Sequence, residues 1–222
     1  MFEGMRVGAV LPMGGEGRRF GSDLPKQFHK LNGRMVFLHA LHTLRQSGLF
    51  DEIVLVCHAD WMEQVSDGFC VPGGKTRQLS VFQGLKAFAK RPDLVVVHDA
   101  VRPFVTEAIL RENVMGAARL GAVDTCVAST DTLVCAPDGQ KIVSIPNRAE
   151  FFRGQTPQSF RMDWLWEAHV KALEDGIDNA SDDCQLVARL GRPIYIVRGD
   201  ERNMKITSAL DLQIAHTLLM CQ

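Results

Sequence analysis

The sequence predicts an α/β fold with a Rossmann-like, doubly wound and mostly parallel sheet. Three observations carry this. Val7 to Leu11, Glu52 to Cys57 and Leu94 to Val97 are short apolar runs rich in β-branched residues, as strands buried on both faces are. The stretches between them space their apolar residues like helices. The chain, at 222 residues with net charge −1, suits one α/β domain with a substantial core.

Each element follows in order. Arg6 to Leu11 is the first strand. Met35 to Arg45 places Met35, Leu38, Leu41, His42 and Leu44 at helical spacing. Glu52 to Cys57 is a buried strand, and Trp61 to Val65 a short helix. Leu79, Val81, Phe82, Leu85 and Phe88 mark a helix opening near Thr76. Leu94 to Val97 is a strand, Glu107 to Leu120 a helix capped by Thr106, and Ala122 to Val127 a strand. The pattern then changes. Asp131 to Cys135 and Lys141 to Ile145 flank Pro137-Asp138-Gly139, which predicts a β-hairpin at about 130–149. Such a ribbon is marginal alone. It either projects as an arm supported by a partner subunit or lies on its own domain. Trp164 to Leu173 and Asp182 to Leu190 are helices, Ile194 to Val197 is a late strand, and Leu210 to Met220 is a helix capped at Ser208. No repeat or linker divides residues 1–222, so one domain is expected.

Composition narrows the function. Twenty-five basic side chains against 26 acidic ones leave no global field for nucleic acid. Phosphate binding must be local. The apolar runs are too short to span a bilayer, and the N-terminus lacks the blocks of a signal peptide. The six cysteines form no Cys-x-x-Cys pair and no zinc spacing. A cytoplasmic enzyme with reduced thiols is expected.

The first strand runs into Pro12-Met13-Gly14-Gly15-Glu16-Gly17-Arg18-Arg19, with Pro25-Lys26-Gln27-Phe28 close behind. Glycines let backbone N–H groups approach a phosphate or a base, and Arg18, Arg19 and Lys26 add positive charge there. No Gly-Lys-Ser/Thr follows, so this is not a standard P-loop, and Phe20 stands where a dinucleotide fingerprint needs glycine. A plain strand-to-helix turn with a solvated basic rim is the bland alternative. Gly73-Gly74 opens a second such turn, ahead of Ser80. His98-Asp99-Ala100-Val101-Arg102 follows a buried strand at the edge where such sheets bind ligands. Asp99 suits Mg²⁺, a ribose hydroxyl or a structural pair with Arg102. Lys205 lies past the late strand, at the same edge.

With these residues placed, the chain resembles the sugar-alcohol phosphate cytidylyltransferases. These act on 2-C-methyl-D-erythritol 4-phosphate or on D-ribitol 5-phosphate. The resemblance runs along nearly the whole chain: the glycine loop, Pro25 to Phe28, Gly73-Gly74 with Arg77 and Ser80, His98 to Pro103, Asp131-Thr132, Arg148, Gln155 to Gln158, and Asn203 to Thr207. It implies a nucleotidyltransferase-type fold with a protruding hairpin arm. It implies that Arg19, Lys26 and Lys205 bind the CTP phosphates with Mg²⁺. Pro12, Met13, Gly14, Gly15, Gly17, Gly74, Ser80, Asp99 and Ala100 would surround the nucleotide, with Asp99 also near the metal. Arg102, Thr132, Arg148 and Thr156 would hold the polyol phosphate, Thr132 and Arg148 reaching across from the arm of the other subunit of a homodimer. Many methylerythritol enzymes carry Asp where this chain has Lys75.

A cytidylyl transfer fits these residue types. An alkyl phosphate, with a second pKa of about 6, is largely dianionic at neutral pH and needs no general base. Ser129-Thr130 before Asp131-Thr132, Gly121 to Thr125, Ser144-Ile145-Pro146 before Arg148 and Gly154 to Phe160 look closer to the ribitol-phosphate branch, so D-ribitol 5-phosphate is the expected acceptor and 2-C-methyl-D-erythritol 4-phosphate the alternative. A nicotinamide oxidoreductase would need a better glycine fingerprint. A non-catalytic CTP sensor would not need so many phosphate-directed cations.

Overall fold

Val7–Pro12 (β1) is buried along its whole length. Its side chains alternate between two layers, Val7, Ala9 and Leu11 to one side and Val10 to the other. This strand is the middle of the fold in a computed structural model that describes residues 1–14, 20 and 24–220. A two-residue ribbon follows, Lys30–Leu31 (β2) and Arg34–Met35 (β3), turning through Asn32 and Gly33, both at positive φ. Then come helix Val36–Gln46 (α1), strand Glu52–Cys57 (β4), edge strand Phe69–Pro72 (β5), helix Arg77–Lys86 (α2) and strand Leu94–Val97 (β6). Helix Glu107–Leu120 (α3) leads to Ala122–Ala128 (β7). Strand Phe152–Arg161 (β8), helices Met162–Glu174 (α4) and Asp183–Arg189 (α5), strand Tyr195–Arg198 (β9) and helix Ala209–Met220 (α6) complete the chain.

The seven long strands form one sheet in the order β5-β4-β1-β6-β8-β7-β9. β1 pairs in parallel with both β4 and β6, β4 with β5, and β7 with β9. Only β8 runs against its neighbours, pairing antiparallel with β6 and β7. The fold is the predicted mostly parallel α/β sheet. One core layer packs under α1 and α3 and the other under α2, α4 and α5. At Gly84 the helix α2 presses so close that a Cβ would sit 2.5 Å from Val10 Cγ1. Winding proceeds from β1 to β4 and β5, then returns to β6 on the far side of β1. The carboxyl ends of β1 and β6 therefore flank the crevice where such sheets bind ligands.

The predicted caps are present. Thr76 accepts from Leu79 N at 3.1 Å and Thr106 from Ile109 N at 3.3 Å. Ser208 accepts from Asp211 N, while the Asp211 carboxylate accepts in return from the Thr207 and Ser208 amides.

The structure departs from the sequence reading in several elements, the unpredicted β2–β3 ribbon among them. The segment read as a helix at Trp61 to Val65 is a 3₁₀ turn over Ala59–Gln64. Strands β5 and β8 were not expected. The hairpin is not a regular ribbon: it holds one bridge, Cys135 to Ser144, tied by Cys135 N to Ser144 O at 2.9 Å and Val143 N to Cys135 O at 2.8 Å. Its turn is set locally, by the Asp138 carboxylate accepting from the Gln140 and Lys141 amides. With no sheet beside it, the alternation of Leu133, Cys135 and their opposites has nothing to pair against. Val134, Ile142, Val143 and Ile145 are each more than half exposed, so the segment projects rather than lying on its own domain. No helix among the described residues is long and apolar enough to cross a membrane.

Candidate active site

The β6 ladder continues one residue past the strand, with His98 N donating to Val10 O at 3.0 Å. That register delivers Asp99 to the crevice. Its carboxylate is buried, yet three cations reach it: Lys205 Nζ at 2.8 Å, Arg77 Nε at 3.4 Å and Arg102 Nε at 3.7 Å. Burial pushes the Asp99 pKa up, but Arg77, Lys205 and Arg102 outweigh it and hold the carboxyl well below the usual range. Asp99 is therefore ionised and fixed. The structural Asp99–Arg102 pair exists, but it is the longest of three.

Each cation comes from a different element. Arg77 opens α2 and also reaches Asp183 at 2.7 Å, whose other oxygen meets His169 Nε2 at 3.0 Å. Burial pushes the Asp183 pKa up, and Arg77 with His169 brings it below the ordinary value. Arg102 donates to the Asn203 carbonyl at 2.8 Å. Asn203 in turn donates to Gln155 Oε1 at 3.1 Å and Thr156 O at 2.8 Å. The loop carrying Lys205 is thereby pinned to β8.

Thr156 is buried and its hydroxyl is fully used. It accepts from Asp99 N at 3.0 Å and meets His98 Nδ1 at 3.1 Å. His98 Nε2 faces the Arg102 carbonyl at 3.2 Å. A carbonyl only accepts, which assigns the proton to Nε2 and makes Nδ1 the acceptor of the Thr156 hydroxyl. Burial lowers the His98 pKa from 6.5 to about 4. An unfolded chain thus takes up this proton first, and stability falls as pH drops from 6.5 towards 4. Asp124 acts in the opposite sense, since burial raises its pKa from 3.8 to about 6 and stability falls as pH rises between those values. His98→Gln, which can keep both hydrogen bonds without titrating, is expected to flatten the acid limb between pH 6.5 and 4 by up to about 3 kcal/mol relative to the parent. Urea unfolding at stepped pH reads this, and parallel curves for the two proteins would refute it.

Beside this cluster opens a cleft of about 630 Å³, lined by Gly14, Gly74, Lys75 and Ser80 with Gln27 and the segment His58 to Trp61. A Cβ on Gly74 would overlap Leu79, and one on Gly73 would come within 2.9 Å of Ser80 Oγ. The Ser80 hydroxyl ties the turn together, accepting from Gly74 N at 3.2 Å and donating to Thr76 O at 2.8 Å. Pro12, Met13 and Ala100 are buried, Met13 N donating to Val56 O at 2.7 Å and Gln27 Nε2 to Met13 O. Lys26 opens a 3₁₀ turn over Lys26–Phe28 and is half-buried.

The structure thus brings together Asp99, Ala100, Arg102, Thr156 and Lys205, and beside them Pro12, Met13, Gly14, Gly74 and Ser80. Thr132 and Arg148 stand apart on the exposed arm, where Arg148 donates to the Thr130 carbonyl at 3.0 Å. Gly15, Gly17 and Arg19 lie outside the described residues. Sequence reasoning missed the roles of Asp183 and His169 behind Arg77, and of His58, Asp60 and Trp61 in the cleft wall. Trp61 stacks on Phe28 with ring centroids 5.5 Å apart, a contact no motif announces. Among the described residues, no group of three or more His, Cys, Asp or Glu is placed to hold a metal.

A family profile described as "IspD: 2-C-methyl-D-erythritol 4-phosphate cytidylyltransferase" matches residues 7–221. The 2-C-methyl-D-erythritol 4-phosphate cytidylyltransferase of Syntrophus aciditrophicus (strain SB) is 40% identical over 226 residues, covering 96% of each chain. Among solved structures, the 4-diphosphocytidyl-2C-methyl-D-erythritol synthase of Anaerococcus prevotii DSM 20548 superposes with a TM-score of 0.86 at 30% identity, over 98% of this chain and 100% of that one. The 2-C-methyl-D-erythritol 4-phosphate cytidylyltransferase of Thermus thermophilus gives 0.82 at 32% identity, over 97% and 100%. These matches favour the methylerythritol branch, against the leaning of the arm residues towards ribitol phosphate. The chain belongs to the IspD family of cytidylyltransferases and is a CTP-dependent nucleotidyltransferase.

Proposed function

We propose that this enzyme transfers CMP from CTP to 2-C-methyl-D-erythritol 4-phosphate, releasing pyrophosphate. The observation that carries the transfer is the convergence of Lys205, Arg77 and Arg102 on buried Asp99 beside an open cleft. The acceptor rests on the family profile and on the 40% identical relative.

CTP lies with its base in the cleft between Gly14, Gly74 and Ser80, where Cβ-free backbone lets a flat ring approach closely. By resemblance to the family, Pro12, Met13, Gly15, Gly17 and Ala100 are assigned to the nucleotide as well. Arg19, Lys26 and Lys205 are assigned to the triphosphate, Arg19 by resemblance to the family alone. Arg102 faces the acceptor by charge, while Thr156 stands behind it and holds the Asp99 backbone in place. An oxygen of the acceptor phosphate attacks the α-phosphorus. A new P–O bond forms, the bond between the α-phosphorus and the bridging oxygen breaks, and pyrophosphate leaves with the electron pair. No proton need be removed from a dianionic nucleophile. The chain's task is to bring two anions together and to hold the charge that accumulates on the crowded phosphorus, which preorganised cations do well in a site poor in water.

Asp99 supplies one carboxylate, which matches a Mg²⁺ ion held mainly by substrate phosphates and water rather than by a protein cage. When bound, the ion would neutralise phosphate charge and orient the leaving group.

The arm makes the enzyme a homodimer. Its exposed Val134, Ile142, Val143 and Ile145 form an apolar surface that a ribbon with a single bridge cannot bury by itself. The partner's site then receives Thr132 and Arg148. Ile145→Asp is expected to convert the dimer to monomer in sedimentation velocity and to lower turnover with the acceptor at least tenfold. A dimer of unchanged affinity would refute the arm as the interface.

Pyrophosphate release from CTP and Mg²⁺, run in parallel with the two polyol phosphates, tests the acceptor. Methylerythritol phosphate is expected to give kcat/KM at least 100-fold above D-ribitol 5-phosphate. The reverse order would restore the ribitol reading.

A further inference from the structure

The loop that carries Asn203 and Lys205 has a second face. Behind it lies a separate cavity of about 320 Å³, lined by Arg34, His39, His42, Asp200 and Arg202 and opening at Thr106, where α3 begins. Most of these residues come from the β3–α1 stretch, the loop before α3 and the loop after β9. Arg34 opens β3 of the β2–β3 ribbon, just ahead of α1. His39 and His42 lie three apart on α1 and so share a face. Asp200 and Arg202 belong to the loop after β9.

The cavity is unbalanced in charge. Arg34 and Arg202 are exposed, and neither guanidinium makes an ion pair or a hydrogen bond among the described residues. The single carboxylate on the wall, Asp200, accepts the Arg202 backbone amide at 2.7 Å, so part of its accepting capacity is already used. Burial lowers the His39 pKa, and the charges of Arg34 and His42 lower it further, so both groups lie within electrostatic reach of His39. His39 Nε2 meets the Leu31 carbonyl at 2.9 Å and is fixed there. Two unpaired guanidinium forks facing one concavity make the arrangement that recognises a phosphoryl group.

The same loop connects this cavity to the reacting centre. The Asp200 carbonyl accepts from Gln155 Nε2 and from Asn203 N, both at 2.9 Å. Asn203 holds Thr156 and Arg102, and Lys205 holds Asp99.

We infer that the cavity between Arg34 and Arg202 binds a small phosphoryl anion, and that its occupation steadies the loop presenting Lys205 to the triphosphate. Inorganic phosphate and the product pyrophosphate share this chemistry. The site is distinct from the nucleotide cleft, with which it has no lining residue in common.

The test uses full-length enzyme saturated with CTP and lacking acceptor, so that the nucleotide cleft is filled and no turnover occurs. Phosphate and pyrophosphate are titrated separately by calorimetry. One site is expected, with affinity falling as salt is raised. In R34Q/R202Q that binding is expected to weaken at least tenfold, while CTP affinity in the absence of added anion stays within twofold. The single variants R34Q and R202Q, each expected to lose threefold or more, serve if the double variant fails to fold. Bound anion is also expected to tighten CTP at least twofold in the parent and not in the variants. Tenfold tighter pyrophosphate would make the product the ligand, and the opposite order would make it free phosphate. No heat with either anion, equal binding in the variants, or CTP affinity indifferent to the anion would overturn the inference. CTP binding itself reports on the nucleotide cleft, so its loss would count against the proposed function instead.

Discussion

Lys205→Met is expected to lower kcat roughly 100- to 1000-fold, about 3–4 kcal/mol in barrier, while the protein stays folded. Lys205 is the nearest of the three cations to Asp99, at 2.8 Å, and the most accessible, with its side chain 37% exposed. Arg77 and Arg102 remain to hold Asp99 when it is gone, so the buried carboxylate keeps its partners. What is lost is a cation free to turn towards the triphosphate. If Lys205 acts on charge that develops only as the phosphorus is attacked, kcat falls more than the KM for CTP rises. Pyrophosphate release, with a urea melt as control, decides this. Turnover within threefold of the parent would remove Lys205 from the chemistry.

The second large effect is on stability. Arg77→Met leaves Asp183, whose side chain is 1% exposed, without its strongest partner, and takes one of three cations from Asp99. Removing one member of a buried ion pair costs about 3–5 kcal/mol. For a domain of this length that is a fall in Tm of roughly 10 °C. Arg77→Met/Asp183→Asn is expected to recover part of the loss, because it leaves no uncompensated charge. The pH dependence follows from the direction of the shifts. The pKa values of Asp99 and Asp183 both lie below the ordinary 3.8. The network's contribution is therefore complete above that value and is lost as pH falls below it. The gap between parent and Arg77→Met should close in strong acid. A gap that widens there, or a Tm within 2 °C at neutral pH, would sink this account.

The sequence announced the fold because β1, β4 and β6 are apolar on both faces, and the helices between them keep one stripe. β8 escaped notice for the opposite reason. Gly154, Gln155, Thr156, Pro157, Gln158 and Ser159 show no apolar alternation, and a proline argues against a central strand. Those polar residues are buried because they build the site: Thr156 against Asp99, Gln155 against Asn203, Gln158 against Asp124. Asp99, Arg102 and Lys205 were legible as loops past strands of a wound sheet. Asp183 was not, since it meets Arg77 across 106 positions and only the fold, which brings the first residues of α2 and α5 together, reveals the pair. The leaning towards ribitol phosphate rested partly on arm residues that make few contacts in the chain, and partly on Gly121 to Thr125 and Gly154 to Phe160, whose residues are constrained by the sheet and its buried hydrogen bonds rather than by an acceptor.

The inverted direction of β8 has one more consequence. A chain that leaves β7 at its carboxyl end and enters an antiparallel strand beside it never crosses the sheet. It leaves and returns at the same rim, the rim that faces substrate. The excursion between Ser129 and Phe151, whose backbones meet at 3.0 Å, is a closed loop hung on the sheet at one point. Its length and composition can change without disturbing strand register or the nucleotide half of the enzyme. The topology separates a core whose strand pairing is fixed from a segment that is free to vary on its own.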